Sequence, residues 1–180
     1  MPEKILAPWG EDDTLLGHIM DECAGVHASR HTLATDHDSA WGLRPYIHWP
    51  YDLFSSYNTD DVLGRFIDAS TTEDTWIMRV CGDSPFINAA LMNHLINNIE
   101  EIAGVYPDLI VMNDIPNGMC GELIYRPSLL ELYKTATDEE KEHVTLGLFN
   151  RGKNGIIKWT NPPKLSIDTE DEYLYLRSLL

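Results

Sequence analysis

The stretch DTWIMRVCGDSP, residues 74–85, decides the fold. Its apolar residues from Trp76 to Val80 predict a buried strand, because a short apolar run bounded by turn residues is typical of a strand in a covered sheet. Gly-Asp-Ser-Pro follows at once, so that a carboxylate stands where the strand ends. Asp83 is either an ordinary turn residue, since Asp, Ser and Pro favour turns, or an acid with a chemical task.

Strand and helix patterns alternate along most of the chain. Apolar residues at helical spacing predict helices over 12–26, 59–70, 88–102, 127–145 and a segment after Thr169. The segment 127–145 is expected to form two helical pieces that divide at Thr137 and Asp138. Thr59 or Asp60 is the expected N-cap of the helix over 59–70. Short apolar runs predict strands over 31–36, 74–80, 108–114, 121–127, 155–160 and 164–168, while 43–58 is either irregular or an edge strand. This alternation predicts an α/β fold of three layers, a mainly parallel mixed sheet with helices on both faces.

Length, charge and cysteine content narrow the class of protein. A chain of 180 residues fits a single domain over 1–180. The net charge of −16 argues against a nucleic-acid partner, because phosphate backbones are held by clustered Lys and Arg. No apolar run approaches the roughly 20 residues of a membrane helix. Three widely spaced cysteines favour reduced thiols, and hence a cytoplasmic protein, over a disulfide frame or a zinc site.

Two aspartates follow predicted strands and could meet at one edge of the sheet. Asp83 follows the strand at 74–80 and Asp168 ends the strand at 164–168. Two carboxylates at one edge repel unless a cation lies between them, and a hard divalent ion such as Mg²⁺ suits oxygen ligands. Thr169 and Glu172 also match a helix capping box, which leaves Asp168 open to either interpretation.

Other polar residues allow both a structural and a functional interpretation. His143 is more typical of a surface histidine than of a ligand. Asp36, His37 and Asp38 could form a metal cluster, but a solvated loop after a strand is the stronger interpretation. Known phosphate-loop, dinucleotide-binding, serine-hydrolase and zinc-protease motifs are absent from the sequence.

Several stretches, in matching order, resemble the cytidylyltransferases that activate sugars, such as spore coat polysaccharide biosynthesis protein F and the CMP-3-deoxy-manno-octulosonate (CMP-Kdo) synthetases. RVCGDSPFI resembles that family's R-x-x-G-D-x-P-L-I, and LSIDTEDEYLYLR resembles its L-x-V-D-T-x-E-D-L-x-x-V-R. Further similar segments are MPEKIL (1–6), HTLATDHD (31–38), DVLGRF (61–66), PNGMCGELI (116–124) and KEHVT (141–145).

The resemblance implies a nucleotide-diphospho-sugar transferase-like fold and a Mg²⁺-dependent transfer of CMP from CTP to a sugar acid or sugar phosphate, with release of pyrophosphate. It implies that Asp83 and Asp168 bind the metal and that Lys4 reaches the triphosphate. The residues expected near the nucleotide are Thr35, Asp36, Arg65 and Arg79, and those expected near the acceptor are Glu122 and His143.

The family's pattern begins earlier than this sequence does. Its A-R-x-x-S-x-R strand and triphosphate loop precede the position that Met1 would occupy, so the resemblance predicts a sheet that lacks its first, central strand. A homo-oligomer, or a partner chain that supplies the strand, is the expected assembly. The alternative is a catalytically inactive relative that serves as a structural or interaction protein through the aromatic run Tyr46, Trp49, Tyr51 and Phe54.

Overall fold

A computed structural model describes residues 4–10, 13–97, 99, 107–112, 115–116, 118–152, 154–157, 167 and 169–177. The predicted strand at 164–168, apart from Ile167, lies outside these residues, as do the second half of the strand at 155–160 and the ends of the predicted segments 88–102 and 108–114. The helices are α1 (Leu15–Ala24), α2 (His37–Leu43), α3 (Val62–Ala69), α4 (Ala89–Asn97), α5 (Arg126–Tyr133), α6 (Asp138–Glu142), α7 (Leu146–Arg151) and α8 (Glu170–Arg177). The strands are β1 (Pro8–Trp9), β2 (Asp13–Thr14), β3 (His31–Asp36), β4 (Tyr51–Ser56), β5 (Trp76–Arg79), β6 (Leu109–Met112), β7 (Glu122–Tyr125) and β8 (Asn154–Ile157).

The strands form three sheets in the described part of the chain. β1 and β2 make a small antiparallel pair, and β3 pairs with β4 in parallel over their whole length. The largest sheet has the order β5-β7-β6-β8, in which β6 and β8 are parallel and β7 is antiparallel to both of its neighbours. Within the described residues β4 pairs only with β3, which agrees with the edge-strand interpretation of 43–58. In the described residues β5 pairs only with β7.

Helices cover both faces of β5. Ile77 belongs to the apolar cluster that contains Leu63 of α3, whereas Met78 packs against the cluster that contains Leu15 and Ile19 of α1. Since successive side chains of a strand point to opposite faces, α1 and α3 lie on opposite sides of the sheet. The predicted α/β arrangement with helices on both faces is confirmed.

Capping residues determine where several helices begin. Thr14 accepts a hydrogen bond from the amide of Gly17 at 3.1 Å and begins α1. Helix α3 begins after Asp61, whose carboxylate accepts from the amide of Gly64 at 2.7 Å, so the expectation of Thr59 or Asp60 as its cap is wrong. Asp61 directly precedes the first helical residue, Val62, and its side chain reaches the amide of the third, Gly64, as a capping side chain does.

Two helices toward the carboxyl end of the chain begin with capping boxes. Thr137 and Glu140 form a reciprocal capping box at α6, at the predicted division between two helical pieces. Thr169 and Glu172 form the predicted box before α8: the Thr169 amide donates to Glu172 at 2.9 Å, and the Glu172 amide donates to Thr169 at 3.2 Å.

The helices in the described part of the chain lack the length and apolar character that a membrane span requires.

Candidate active site

Lys4 and Asp83 meet at the carboxyl end of β5. Lys4 lies in a 3₁₀ turn, Lys4–Leu6, and its ammonium is 3.2 Å from Oδ2 of Asp83. The same ammonium donates to the carbonyl of Ile167 at 2.8 Å. Both side chains are about one-quarter exposed, at 28% and 24%. The structure therefore brings together two of the predicted catalytic residues in a pair that solvent can reach.

The backbone around Asp83 is tied to a distant part of the chain. The carbonyl of Asp83 accepts from the amide of Ile167 at 2.8 Å, and the carbonyl of Ser84 accepts from the amide of Ile87 at 3.2 Å. Ser84 and Pro85 are buried. Asp83 is thus a turn residue, as one interpretation predicted, and its carboxylate also contacts the ammonium of Lys4. Asp168, the residue after Ile167, lies outside the described residues.

Arg79 and Glu122, expected in different subsites, form an ion pair. They are register partners on β5 and β7, and the guanidinium of Arg79 donates to the Glu122 carboxylate. The hydroxyl of Thr145 donates to the same carboxylate at 3.2 Å. Burial disfavours the charged form of Arg79, but the charge of Glu122, the hydrogen bond with it and the nearby Cys81 and Asp83 together outweigh burial, and the pKa of Arg79 is raised. The guanidinium also lies 6.0 Å from the ring centre of Phe66.

A cavity of about 550 Å³ opens beside Lys4, at the carboxyl end of β3. Its lining includes the predicted residues Lys4, Thr35 and Asp36, together with Asp38 and Ser39 of α2. Its volume is within the range of small-ligand pockets, roughly 300–1,000 Å³. Another cavity, of about 380 Å³, lies between α5 and α7, and its described lining contains none of the predicted site residues.

Asp36 and Arg65 have structural contacts within this region. Asp36 caps α2 by accepting from the amide of Ser39 at 2.8 Å, and this contact with Ser39, backed by the positive charge of Arg65, lowers the pKa of Asp36. Arg65 donates to the carbonyl of Thr59 at 2.9 Å. The loop interpretation of Asp36, His37 and Asp38 is wrong, because Asp36 ends β3 and His37 and Asp38 begin α2. His37 packs its ring on Tyr57, and no cluster of three metal-ligating side chains occurs in the described residues.

His143 and Thr145 show what the sequence interpretation found and missed at the KEHVT segment. His143 is exposed at the end of α6, with no side-chain hydrogen bond to Glu122 among those described. The contact to Glu122 comes instead from Thr145, which is buried. Thr145 lies in the motif that carried the resemblance, so the motif located the segment but not the residue that makes the contact.

The donor chemistry at Asp83 fits a hard divalent cation. A carboxylate at the end of a strand, partly exposed and already paired with a cation, offers the oxygen ligand that Mg²⁺ or Mn²⁺ prefers. Most coordination positions of Mg²⁺ are filled by water and substrate phosphates, so one or two protein carboxylates suffice. Among the described residues, Asp83 is the predicted metal ligand that meets this requirement.

Comparison with known proteins identifies the fold. No protein-family model matches the sequence, and no curated protein does either. The structure is similar to a cytidylyltransferase from Leptospira borgpetersenii serovar Hardjo-bovis (strain JB197), with a TM-score of 0.83 and 20% identity over 99% of this chain and 79% of that one. The chain has the cytidylyltransferase fold.

Two further solved structures share this fold. Rv0371c from Mycobacterium tuberculosis H37Rv, in complex with manganese, aligns with a TM-score of 0.74 and 18% identity over 98% of this chain and 92% of that one. A CMP:2-keto-3-deoxy-manno-octonic acid synthetase in complex with CTP aligns with a TM-score of 0.66 and 14% identity over 99% and 92%. The predicted nucleotide-diphospho-sugar transferase-like architecture is confirmed by these likenesses.

Proposed function

We propose that this protein is a divalent-metal-dependent cytidylyltransferase of the sugar-activating kind, which transfers CMP from CTP to a sugar acid or sugar phosphate. The observation that carries the proposal is the Lys4–Asp83 pair at the carboxyl end of β5, beside a cavity of nucleotide size. The manganese and CTP complexes of proteins with the same fold agree with this chemistry. A reducing compartment such as the cytoplasm suits the three free cysteines.

In the proposed reaction, an acceptor oxygen attacks the α-phosphorus of CTP. A bond forms between that oxygen and phosphorus, the bond from the α-phosphorus to the bridging oxygen breaks, pyrophosphate leaves, and the acceptor's proton passes to solvent. A Mg²⁺ ion held by Asp83, with Asp168 as the proposed second ligand, would neutralise charge on the phosphoryl oxygens. Lys4 would bind the triphosphate, and catalysis would rest mainly on positioning and charge stabilisation.

The remaining predicted residues divide between two parts of the proposed site. Thr35 and Asp36 line the cavity and would meet the nucleoside, while Arg65 would hold the adjoining loop through the carbonyl of Thr59. Glu122, oriented by Arg79 and Thr145, would accept hydrogen bonds from the acceptor's hydroxyls. His143, exposed two residues before Thr145, would contact the acceptor from solvent.

The test of this function is release of pyrophosphate from CTP and Mg²⁺ with a panel of sugar acids and sugar phosphates. We expect turnover with at least one acceptor and a loss of about 10³-fold in Asp83→Asn. The matched control is Asp52→Asn, which neutralises an exposed carboxylate on β4. Absence of both CTP binding and turnover with every acceptor would remove the enzymatic function.

We also propose that a further strand runs between β3 and β5. In the described residues each of these strands pairs on one side only. The apolar cluster of Leu16 and Met20 on α1 contacts Leu33 of β3, and α1 also packs near Met78 of β5, so one helix lies under both strands. Immediately before the two strands, Arg30 and Asp74 are joined by an ion pair of 2.7 Å.

Hydrogen exchange tests the proposed strand. In the protein isolated from its natural source, some amides of β3 and β5 point toward the proposed strand and away from β4 and β7. These amides should exchange as slowly as those of β6. Intact mass and cross-linking then distinguish a strand from the same polypeptide from one supplied by a second subunit. Rapid exchange of these amides in the natural assembly would contradict the proposal.

A second candidate function, an inactive relative that serves in protein interaction, is favoured by exposed aromatic side chains. Trp49 is 90% exposed, Tyr57 83% and Trp41 71%. Tyr51, from the predicted aromatic run, instead packs under α1 and donates to the carbonyl of Met20 at 2.9 Å. Light scattering of the natural protein decides this candidate: an aromatic interface requires an assembly that Trp49→Ser disrupts, and a monomer at all concentrations contradicts it.

A further inference from the structure

His18, which no motif singled out, contacts the turn that carries Asp83. It lies on α1, and its Nε2 is 2.7 Å from the carbonyl oxygen of Pro85. A carbonyl oxygen only accepts, so Nε2 carries the proton and donates it. Resting on the proposed function, we propose that His18 is a positioning residue that fixes the Asp83 turn in the geometry required to bind a divalent cation.

The contact between His18 and Pro85 matters because residue 85 has only one backbone group that can form a hydrogen bond. Proline has no amide hydrogen, so its carbonyl is the one backbone group through which residue 85 can be hydrogen-bonded. Pro85 is buried, which leaves that carbonyl dependent on a protein donor. Two residues earlier, the carbonyl of Asp83 accepts from Ile167. The turn is therefore fixed by α1 on one side and by Ile167 on the other.

Ring contacts through Trp9 also connect the imidazole to this turn. The ring of His18 lies 6.1 Å from that of Trp9, which is only 3% exposed. Trp9 in turn meets Phe86 edge-on at 6.1 Å, and Phe86 directly follows Pro85. The hydrogen bond and the ring contacts thus join the same two segments, α1 and the turn. Such doubled attachment restricts the orientation of the Asp83 carboxylate beyond what its own contact with Lys4 provides.

The experiment compares His18→Leu, which cannot donate, with His18→Gln, which can. Mn²⁺ affinity is measured on the protein alone from the spin resonance of the free ion, and the exchange rate of the Ile167 amide is measured by NMR. We expect His18→Leu to weaken Mn²⁺ binding by tenfold or more, to speed Ile167 exchange at least tenfold and to lower kcat with little change in the KM of the acceptor. His18→Gln should stay within about threefold of wild type. The matched control is His27→Leu, at an exposed histidine beyond the end of α1.

Each outcome decides the proposal. Wild-type Mn²⁺ affinity and Ile167 exchange in a folded His18→Leu protein would overturn it. If His18→Leu fails to fold, His18→Gln decides, and a folded Gln variant that loses Mn²⁺ affinity and Ile167 protection would show that the hydrogen bond is not the cause. Failure of the proposed function can be distinguished from failure of the positioning role. If the wild type transfers no CMP, the proposed reaction is refuted. The positioning role is retained in that case if His18→Leu still changes Mn²⁺ affinity and Ile167 exchange. If the wild type binds no Mn²⁺, positioning for a cation is refuted.

Discussion

Lys4 and Asp83 lie 3.2 Å apart although 79 positions separate them in the chain. The ammonium contacts one oxygen, Oδ2, of the carboxylate that the proposed reaction assigns to the metal ion. The proposed reaction uses both residues, Lys4 for the triphosphate and Asp83 for the metal. The Lys4–Asp83 contact must therefore weaken when Lys4 binds the triphosphate and Asp83 binds the metal ion.

Lys4→Met should raise the affinity for Mn²⁺ and lower the affinity for CTP. Removing the ammonium leaves the negative charge of Asp83 uncompensated, and a partly exposed pair of this kind contributes about 1 kcal/mol, which corresponds to roughly fivefold in affinity. CTP loses a charged contact and should bind about tenfold more weakly. Calorimetric titration measures both constants. The control is Lys134→Met, which removes an exposed lysine paired with Glu131. A decrease in Mn²⁺ affinity would contradict the pairing.

The Arg79–Glu122 pair should show strong coupling in a double-mutant cycle. Arg79→Met leaves a carboxylate that is only 24% exposed without its cation, and we expect it to lower the free energy of unfolding by about 2 kcal/mol, less than for a fully buried pair. Adding Glu122→Gln should recover at least about 1 kcal/mol, because it removes the unpaired charge. Denaturant unfolding measures each variant, and the exposed Lys134–Glu131 pair serves as the control. Additive effects would mean that the two side chains do not interact.

The sequence predicts features that depend on neighbouring residues better than contacts between residues that are far apart in the chain. The bounds of β3 were predicted to the residue, and Thr169 as a cap was also correct, because both depend on neighbouring residues. The pairing of Arg79 with Glu122 was not predicted, since it depends on the register between β5 and β7. The resemblance implied only that Arg79 lies near the nucleotide and Glu122 near the acceptor.

The same reason explains why His18 and Thr145 were missed. His18 is one polar residue within an apolar helix pattern, and its significance comes from a turn 67 positions away. Thr145 acts on Glu122 across 23 positions. Neither distance leaves a periodic signal.

Asp36→Ala should destabilise the protein by about 1 kcal/mol, whereas Asp36→Asn should be nearly neutral at pH 7, since asparagine is an equally good cap. The pKa of Asp36 is lowered on folding by its hydrogen bond with Ser39. The stabilisation that this shift provides is therefore present above an unfolded pKa of about 4 and is lost as pH falls through the lower folded value. Thermal unfolding between about pH 2 and 7 measures it. Asp36→Asn should lose less stability in this range than wild type, and equal losses would contradict the assignment.

Cys23 should resist alkylation in the folded protein. Burial raises the pKa of Cys23 to about 12, against about 8.5 for a free thiol. At about pH 8.5 half of an unfolded cysteine is thiolate, whereas the raised pKa leaves Cys23 almost entirely protonated in the folded protein. Iodoacetamide labelling followed by peptide mass analysis measures the difference, with the guanidinium-unfolded chain as control. Labelling of Cys23 at equal rates in both states would contradict its burial.

Gly121→Ala should destabilise the protein by about 1–3 kcal/mol, because the added methyl group would overlap its surroundings. A Cβ at this position would lie 2.7 Å from the carbonyl oxygen of Arg79 and 2.7 Å from the sulfur of Met78. The sulfur can move, but the backbone oxygen belongs to β5 and cannot move without disturbing its pairing with β7. Gly42→Ala is the matched control: apart from its chain neighbours and its own helix backbone, no atom lies within 4 Å of its Cβ position, and alanine is favoured over glycine in a helix by up to about 1 kcal/mol. Denaturant unfolding should therefore give shifts of opposite sign for the two variants. A shift for Gly121→Ala no worse than that for Gly42→Ala would show that β5 and the residue before β7 are not in this close contact.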